Sequence, residues 1–308
     1  MPDIVITEFM DGAAVDALAG EFDTRYDPAL ADAQDRIPAL LGDARAVIVR
    51  NRTQVRRELL DAAPGLVCVG RLGVGLDNID VAACEGRGIE VCPATGANDG
   101  AVAEYVIAAA MALLRGAYGA TAEVASGSWP RQALIGREIA GKTLGLVGFG
   151  AIARQTASRA RALGMTIAAH DPYLPPENPA WEGVRNLSLD MLLAQSDVVS
   201  LHIPLTEETR HLMGAEQIDR MKPGSVLINA ARGGVVDEAA LAAALRSGSL
   251  SGAALDVFET EPLSAANGAR FEGISNLILT PHIAGVTEES NVRVSSLIAS
   301  RVAEILRR

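Results

Sequence analysis

The chain has 308 residues, with 38 acidic against 27 basic side chains, a net charge of −11, and 49% hydrophobic but only 4% aromatic residues. At ~100–200 residues per domain the length favours two domains over one large one, and the apolar content excludes global disorder. The acidic balance excludes a sequence-independent hold on nucleic acid or on an acidic membrane, both of which need clustered Lys and Arg; a pocket with local positive charge for a small anion stays open.

From the N-terminus, short β-branched runs alternate with longer Ala/Leu-rich segments, the pattern of βαβ units and parallel sheet. The first block predicts strands at 4–7, 46–50, 66–70 and 89–92, with helices at 13–19 and 55–62. No basic n-region or cleavable apolar segment opens the chain, so a cytoplasmic protein is expected. Cys68, Cys84 and Cys92 form an odd set without metal-ligand spacing, which fits a reducing compartment and neither a disulfide framework nor a metal site.

A helix follows at 99–115, with Asp99 as its expected N-cap and Gly116 as its stop. It is apolar almost all round, so it should be buried or packed against a domain or subunit. Its longest apolar run, 105–114, is half the ~20 residues needed to span a bilayer. A second block predicts strands at 143–147, 166–170, 198–202, 226–229, 253–257 and 277–280. Thr287, Glu288 and Glu289 then open a terminal helix that should pack back on the first block. The expected division is a discontinuous domain of residues 1–98 and 287–308 around an inserted domain of 99–286.

The most specific motif is Gly148-Phe149-Gly150-Ala151-Ile152-Ala153, a G-x-G-x-x-A turn between a strand and a helix at 151–163. Gly148 permits the tight turn, Gly150 admits a pyrophosphate, and Ala153 keeps helix and strand close. Asp171 lies 21 residues beyond Gly150, at the end of the next strand, where a carboxylate holds the ribose hydroxyls and repels a 2′-phosphate. NAD rather than NADP is the expected cofactor.

Polar residues concentrate at the carboxyl ends of the second block's strands, where open α/β sheets bind ligands. Among the four histidines, His211 reads as a surface residue in a charged helical stretch at 207–216. His170 reads as a neighbour of the cofactor or as structural. His202 ends a strand without an evident partner. His282, after Thr280-Pro281, stands on a tight loop where a reacting group can be held. Glu261 follows the preceding strand and can orient it; a carboxylate beside an imidazole favours the protonated form, which donates to a ketone. Arg232, in Asn229-Ala230-Ala231-Arg232-Gly233-Gly234, offers a planar fork for a substrate carboxylate. Gly73-Val74-Gly75 reads as a turn, or as a nest of N–H groups for a carboxylate.

These residues resemble the D-isomer-specific 2-hydroxyacid dehydrogenase family. The segments 71–80, 147–153, 229–237, 254–258 and 281–285 carry the likeness, which runs from about residue 47 to 284. The resemblance implies a flavodoxin-like substrate domain, an inserted Rossmann domain and a homodimer. It implies Arg232 as carboxylate binder, Glu261 as orienter and His282 as acid/base. It further implies cofactor contacts at Gly148, Gly150, Ala151, Ile152, Asp171, Pro204, Ala230, Asp256 and Gly285, with Asp256 near the carboxamide, and substrate contacts at Val74 and Gly75. One departure is Glu104-Tyr105, where many members have Glu-His.

Two branches compete for the substrate. Residues 49–55 and 70–71 resemble 3-phosphoglycerate dehydrogenases, although the chain ends where their long forms continue into regulatory domains. The segments 51–54, 95–99 and 291–296 resemble sulfolactate dehydrogenases. Arg50 and Arg71, with Arg131 across a dimer, suit a distal phosphate or sulfonate. The expected substrate is a small anionic 2-hydroxy or 2-oxo acid, foremost (S)-3-sulfolactate and 3-sulfopyruvate; D-3-phosphoglycerate and glyoxylate or hydroxypyruvate are the alternatives. A non-enzymatic NAD-sensing corepressor is the reading from a different class.

Overall fold

A computed structural model describes residues 2–308. The chain divides into two compact units, one ending at Asn98 and resumed by Val286–Arg308, the other Asp99–Gly285.

The first unit carries a five-stranded parallel sheet: β1 (Ile4–Ile6), β2 (Thr24–Tyr26), β3 (Ala46–Val49), β4 (Cys68–Arg71) and β5 (Glu90–Pro93). Their order is β2-β1-β3-β4-β5, the flavodoxin-like arrangement. Alternate residues feed opposite faces, as a pleated strand requires. Ile4, Ile6, Ala46 and Ile48 enter a core closed by the Gly12–Ala19 and Glu288–Leu306 helices, while Val5, Val47 and Val49 enter another with Leu30, Ile37, Leu41 and Leu60. Both faces being covered explains why β1 and β3 read as unbroken apolar runs. The terminal helix starts with the expected signal: Thr287 and Ser290 form a reciprocal capping box, with Glu288 and Glu289 in the first turn. It packs on Gly12–Ala19 and on β4.

The second unit carries seven parallel strands: β6 (Thr143–Val147), β7 (Thr166–His170), β8 (Arg185–Asn186), β9 (Val198–Leu201), β10 (Val226–Asn229), β11 (Gly252–Leu255) and β12 (Leu277–Leu279). The order β12-β11-β10-β9-β6-β7-β8 places β6, first in sequence, beside β9, fourth. That reversal of strand order is the switch point at which Rossmann folds bind dinucleotides. The Asp99–Arg115 helix packs against the Ala151–Ala162 helix and under β10 and β11. It is buried or half-buried except for a narrow exposed stripe at Glu104, Ala108, Met111 and Arg115.

Some local expectations change. Asp99 lies inside the first helical turn, so it does not cap it. The helix expected over 55–62 shrinks to Arg57–Asp61, because Val55 pairs with Ile79 in a parallel bridge. The charged stretch 207–216 is not helical before Ala215; it turns at His211, whose φ is 51°. No single helix among the described residues is long and apolar enough to cross a membrane.

Candidate active site

The glycine turn after β6 lies at the switch point. Gly148 has φ 86°, and a Cβ there would stand 2.5 Å from the His202 carbonyl oxygen and 2.8 Å from Ile203 Cγ2. Only glycine serves both the left-handed turn and the close passage of the segment leaving β9. Gly150 differs: it has extended backbone, and a Cβ there would meet nothing within 4 Å. Gly150 also sits at the N-cap of the Ala151–Ala162 helix without any side-chain capping bond. The first N–H groups of that helix and its positive dipole end thus face a space shaped for an anion. Ala153, fully buried, seats the helix on the sheet.

Asp171 joins this turn. Its Oδ2 accepts from Phe149 N at 2.8 Å and its Oδ1 from Tyr173 N at 3.0 Å. A carboxylate has about four acceptor positions, so each oxygen retains capacity for a ribose hydroxyl. The donor set and the open cradle fit NAD.

The remaining polar groups stand on the same carboxyl edge. After β10, Asn229 accepts from Ala231 N at 3.1 Å and donates to Arg232 O at 2.9 Å, clamping the turn that presents Ala230 and Arg232. A Cβ on Gly233 would collide with the Phe258 backbone, so a side chain there would push this turn away from the segment leaving β11. Beyond β11, Glu261 Oε1 accepts from Phe258 N at 3.0 Å and Oε2 meets His282 Nδ1 at 2.7 Å. Burial works to raise the Glu261 carboxyl. The His282 bond and charge, the Phe258 N–H and the Arg232 charge outweigh it and hold the group below the usual carboxylate range. An ionised carboxylate only accepts, so Nδ1 carries a proton and Nε2 is left to exchange one.

His282 has φ 56°, a conformation few non-glycine residues adopt. Asp256 enforces it. Its carboxylate, 1% exposed, accepts from Ile283 N and Ala284 N at 2.8 Å each and from Thr280 Oγ1 at 2.6 Å, while its carbonyl accepts from His282 N at 2.8 Å. The carboxylate expected near a carboxamide is thus engaged with the histidine loop. Pro204 follows β9, where its carbonyl accepts from Thr209; Gly285 closes the histidine loop.

Two other histidines resolve. His202, expected without a partner, has Ser200 Oγ 3.0 Å from its Nε2, and burial pushes its pKa down to about 4. His211 Nε2 lies 3.3 Å from Glu259 Oε1, half-exposed.

In the first unit, the carboxyl edge presents Arg50, Arg71, Val74 and Gly75. Glu8, a residue the motif reading passed over, is 4% exposed and accepts from the N–H groups of Arg50 at 2.8 Å and Thr53 at 2.9 Å. Asn78 holds the same turn by donating to Thr53 O at 2.7 Å and Arg50 O at 3.2 Å. The Arg50 guanidinium donates to Asn291 Oδ1 at 2.8 Å. Arg71 is buried at 7% exposure, its guanidinium tucked against Gly73. Val74 and Gly75 are half-buried.

An open helix end at the switch point, with an imidazole–carboxylate pair on the same sheet edge, is the equipment of a nicotinamide-dependent oxidoreductase. Comparison with known proteins narrows that class. Residues 107–284 match the model of the D-isomer specific 2-hydroxyacid dehydrogenase NAD binding domain, and the chain belongs to that family. It is 54% identical over 307 residues to an (S)-sulfolactate dehydrogenase of Chromohalobacter salexigens, covering 99% of each chain. It is 42% identical over 260 residues to a D-3-phosphoglycerate dehydrogenase of Archaeoglobus fulgidus, covering 84% of this chain but only 49% of that longer protein. The crystal structure of a D-lactate dehydrogenase of Aquifex aeolicus with NAD and lactic acid superposes with TM-score 0.84 at 28% identity, covering 99% of this chain and 95% of that one. The chain is therefore an NAD-dependent dehydrogenase of the D-2-hydroxyacid type, acting on CH–OH donors.

Proposed function

We propose that the protein interconverts (S)-3-sulfolactate and 3-sulfopyruvate. The observation that carries the chemistry is the 2.7 Å His282–Glu261 pair on the rigid loop after β12; the 54% identity over nearly the whole chain carries the substrate. NAD, when bound, would supply the acceptor for the hydride from carbon 2 of the alcohol, and NADH the donor to the ketone. In oxidation, His282 Nε2 removes the hydroxyl proton while Glu261 stabilises the imidazolium; in reduction, Nε2–H delivers the proton to the carbonyl oxygen. Arg232 binds the substrate carboxylate as a fork and polarises the adjacent carbonyl. Arg50 and Arg71 are assigned to the sulfonate, and the N–H groups around Val74 and Gly75 to the carboxylate.

The N–H groups at Gly150, Ala151 and Ile152 would hold the pyrophosphate and Asp171 the ribose hydroxyls. Gly148, Pro204, Ala230 and Gly285 would line the cofactor, with Asp256 supporting the histidine loop near where its carboxamide would lie. D-3-phosphoglycerate is the second reading, favoured by the Archaeoglobus relative and by the likeness between a phosphate and a sulfonate as arginine ligands. The three buried thiols without a disulfide fit a cytoplasmic protein. A homodimer is proposed from the family resemblance, with the exposed Tyr118, Trp129 and Ile135 of the segment before β6, at 72%, 80% and 73% exposure, as its candidate contact residues.

His282→Ala, measured with NADH across 3-sulfopyruvate, 3-phosphohydroxypyruvate, glyoxylate and pyruvate, tests the acid/base assignment. Loss of ~100-fold or more in kcat with NADH affinity retained is expected. Unchanged NADH oxidation overturns the mechanism, and a wild-type protein that binds NAD but turns over none of the four acids is the sensor instead.

A further inference from the structure

The Asp256 carboxylate fixes the two peptide N–H groups that follow His282, and it is itself the end of a side-chain chain. Thr280 Oγ1 donates to Asp256 Oδ1 at 2.6 Å, and Tyr105 Oη lies 2.6 Å from the same Thr280 oxygen. The donor order follows from chemistry. A carboxylate offers no proton, so the single Thr280 hydrogen goes to Asp256, and Tyr105 must donate to Thr280. Burial raises the Tyr105 phenol; the Thr280 bond opposes this and the Asp256 charge adds to it, with a net raised pKa that keeps the proton on Tyr105. Tyr105 stands on the Asp99–Arg115 helix, 175 residues from Thr280 in sequence, and makes no hydrogen bond to His282 or Glu261.

We propose that Tyr105 is a positioning residue for the acid/base histidine, acting through Thr280 and Asp256 on the His282 loop. His282 is in a left-handed conformation that persists only where its surroundings over-determine it. The Asp256 carboxylate supplies that determination through Ile283 and Ala284, and its orientation is set from the far side by the Thr280 hydroxyl. Tyr105 removes the rotational freedom of that hydroxyl. Consecutive hydrogen bonds of this kind polarise one another, so the terminal donor stiffens the whole run. The consequence for chemistry is the aim of His282 Nε2, and hence kcat rather than substrate affinity. The positioning rests on the acid/base reading of His282; the hydrogen-bond relay itself does not.

The test uses the full-length protein and two readouts. Tyr105→Phe keeps the ring and deletes the donor; Thr280→Val cuts the relay; Thr280→Ser restores its hydroxyl. Backbone amide exchange at Ile283 and Ala284 is expected to accelerate on the order of 3–10-fold in Tyr105→Phe, to rise at least as much in Thr280→Val, and to return toward wild type in Thr280→Ser. The double variant Tyr105→Phe/Thr280→Val should exchange no faster than Thr280→Val alone, because Tyr105 acts only through Thr280. In steady-state kinetics, kcat should fall by the same order with KM for the 2-oxo acid unchanged. Unaltered exchange in Tyr105→Phe, or effects that multiply in the double variant, overturns the relay. Accelerated exchange with kcat unchanged overturns the positioning. If the wild-type protein has no turnover, the acid/base reading fails and the positioning of a catalytic group fails with it, while the exchange arm still decides the relay.

Discussion

The two motif glycines serve different purposes, and substitution should separate them. At Gly150 a side chain enters open space, and the backbone is extended, so neither clash nor strain opposes it. Threonine is about as good as glycine at an N-cap, so Gly150→Thr should change stability by less than ~0.5 kcal/mol. Its hydroxyl, however, takes the N–H donors that a pyrophosphate needs, and its methyl fills the approach. Each charge-assisted bond lost is worth ~1.5–3 kcal/mol, so NADH affinity should fall ~10–150-fold. Gly148→Ala is the converse. Left-handed φ costs ~1–2 kcal/mol for alanine. The new Cβ would stand 2.5 Å from a carbonyl oxygen and 2.8 Å from Ile203, which forces a backbone shift between β6 and β9. An overpacked site adds ~1–3 kcal/mol. Calorimetric Tm and NADH titration on the two variants decide the matter. Gly150→Thr with full NADH affinity, or Gly148→Ala with unchanged Tm, would refute the reasoning.

Glu261→Gln keeps the shape but removes the charge that stabilises the imidazolium. The kcat for ketone reduction should drop on the order of 100-fold, and the alkaline limb of its pH profile should move to lower pH, read from initial rates across pH. A profile unmoved on the pH axis would count against the pair. Asp197 tests stability. Burial works to raise it, yet Lys222 at 2.7 Å and the Thr143 N–H at 2.9 Å leave it lowered. A depressed carboxyl stabilises the fold above its unfolded value of ~4 and loses that contribution as pH falls through its lower native value. Asp197→Asn should therefore cost ~1–2 kcal/mol at neutral pH, discounted because Lys222 is half-exposed, and nothing in strong acid. Urea titrations at several pH values read this difference, and a pH-independent one refutes it.

The buried strands were legible because both faces of each sheet are covered, so β3 is wholly apolar and β9 and β10 carry a single polar residue each, Ser200 and Asn229. β2, Thr-Arg-Tyr, and β8, two residues long, carry no such run; neighbours, not composition, make them strands. Glu261 and His282 were legible because each follows a strand end. The Ser200 partner of His202 was available in principle, since residues two apart share a strand face. Glu8 was not: one acid after an apolar run gives no sign that it will receive the N–H groups of a turn over 40 residues away. The same holds for Asp256, whose service to the histidine loop depends on three donors that only the fold assembles.

The proposed substrate is most directly tested by kcat/KM of the wild-type enzyme with NAD for (S)-3-sulfolactate against D-lactate. The two differ by the group assigned to Arg50 and Arg71, so a preference of ~10-fold or more for sulfolactate is predicted. Equal values for the two acids would contradict it.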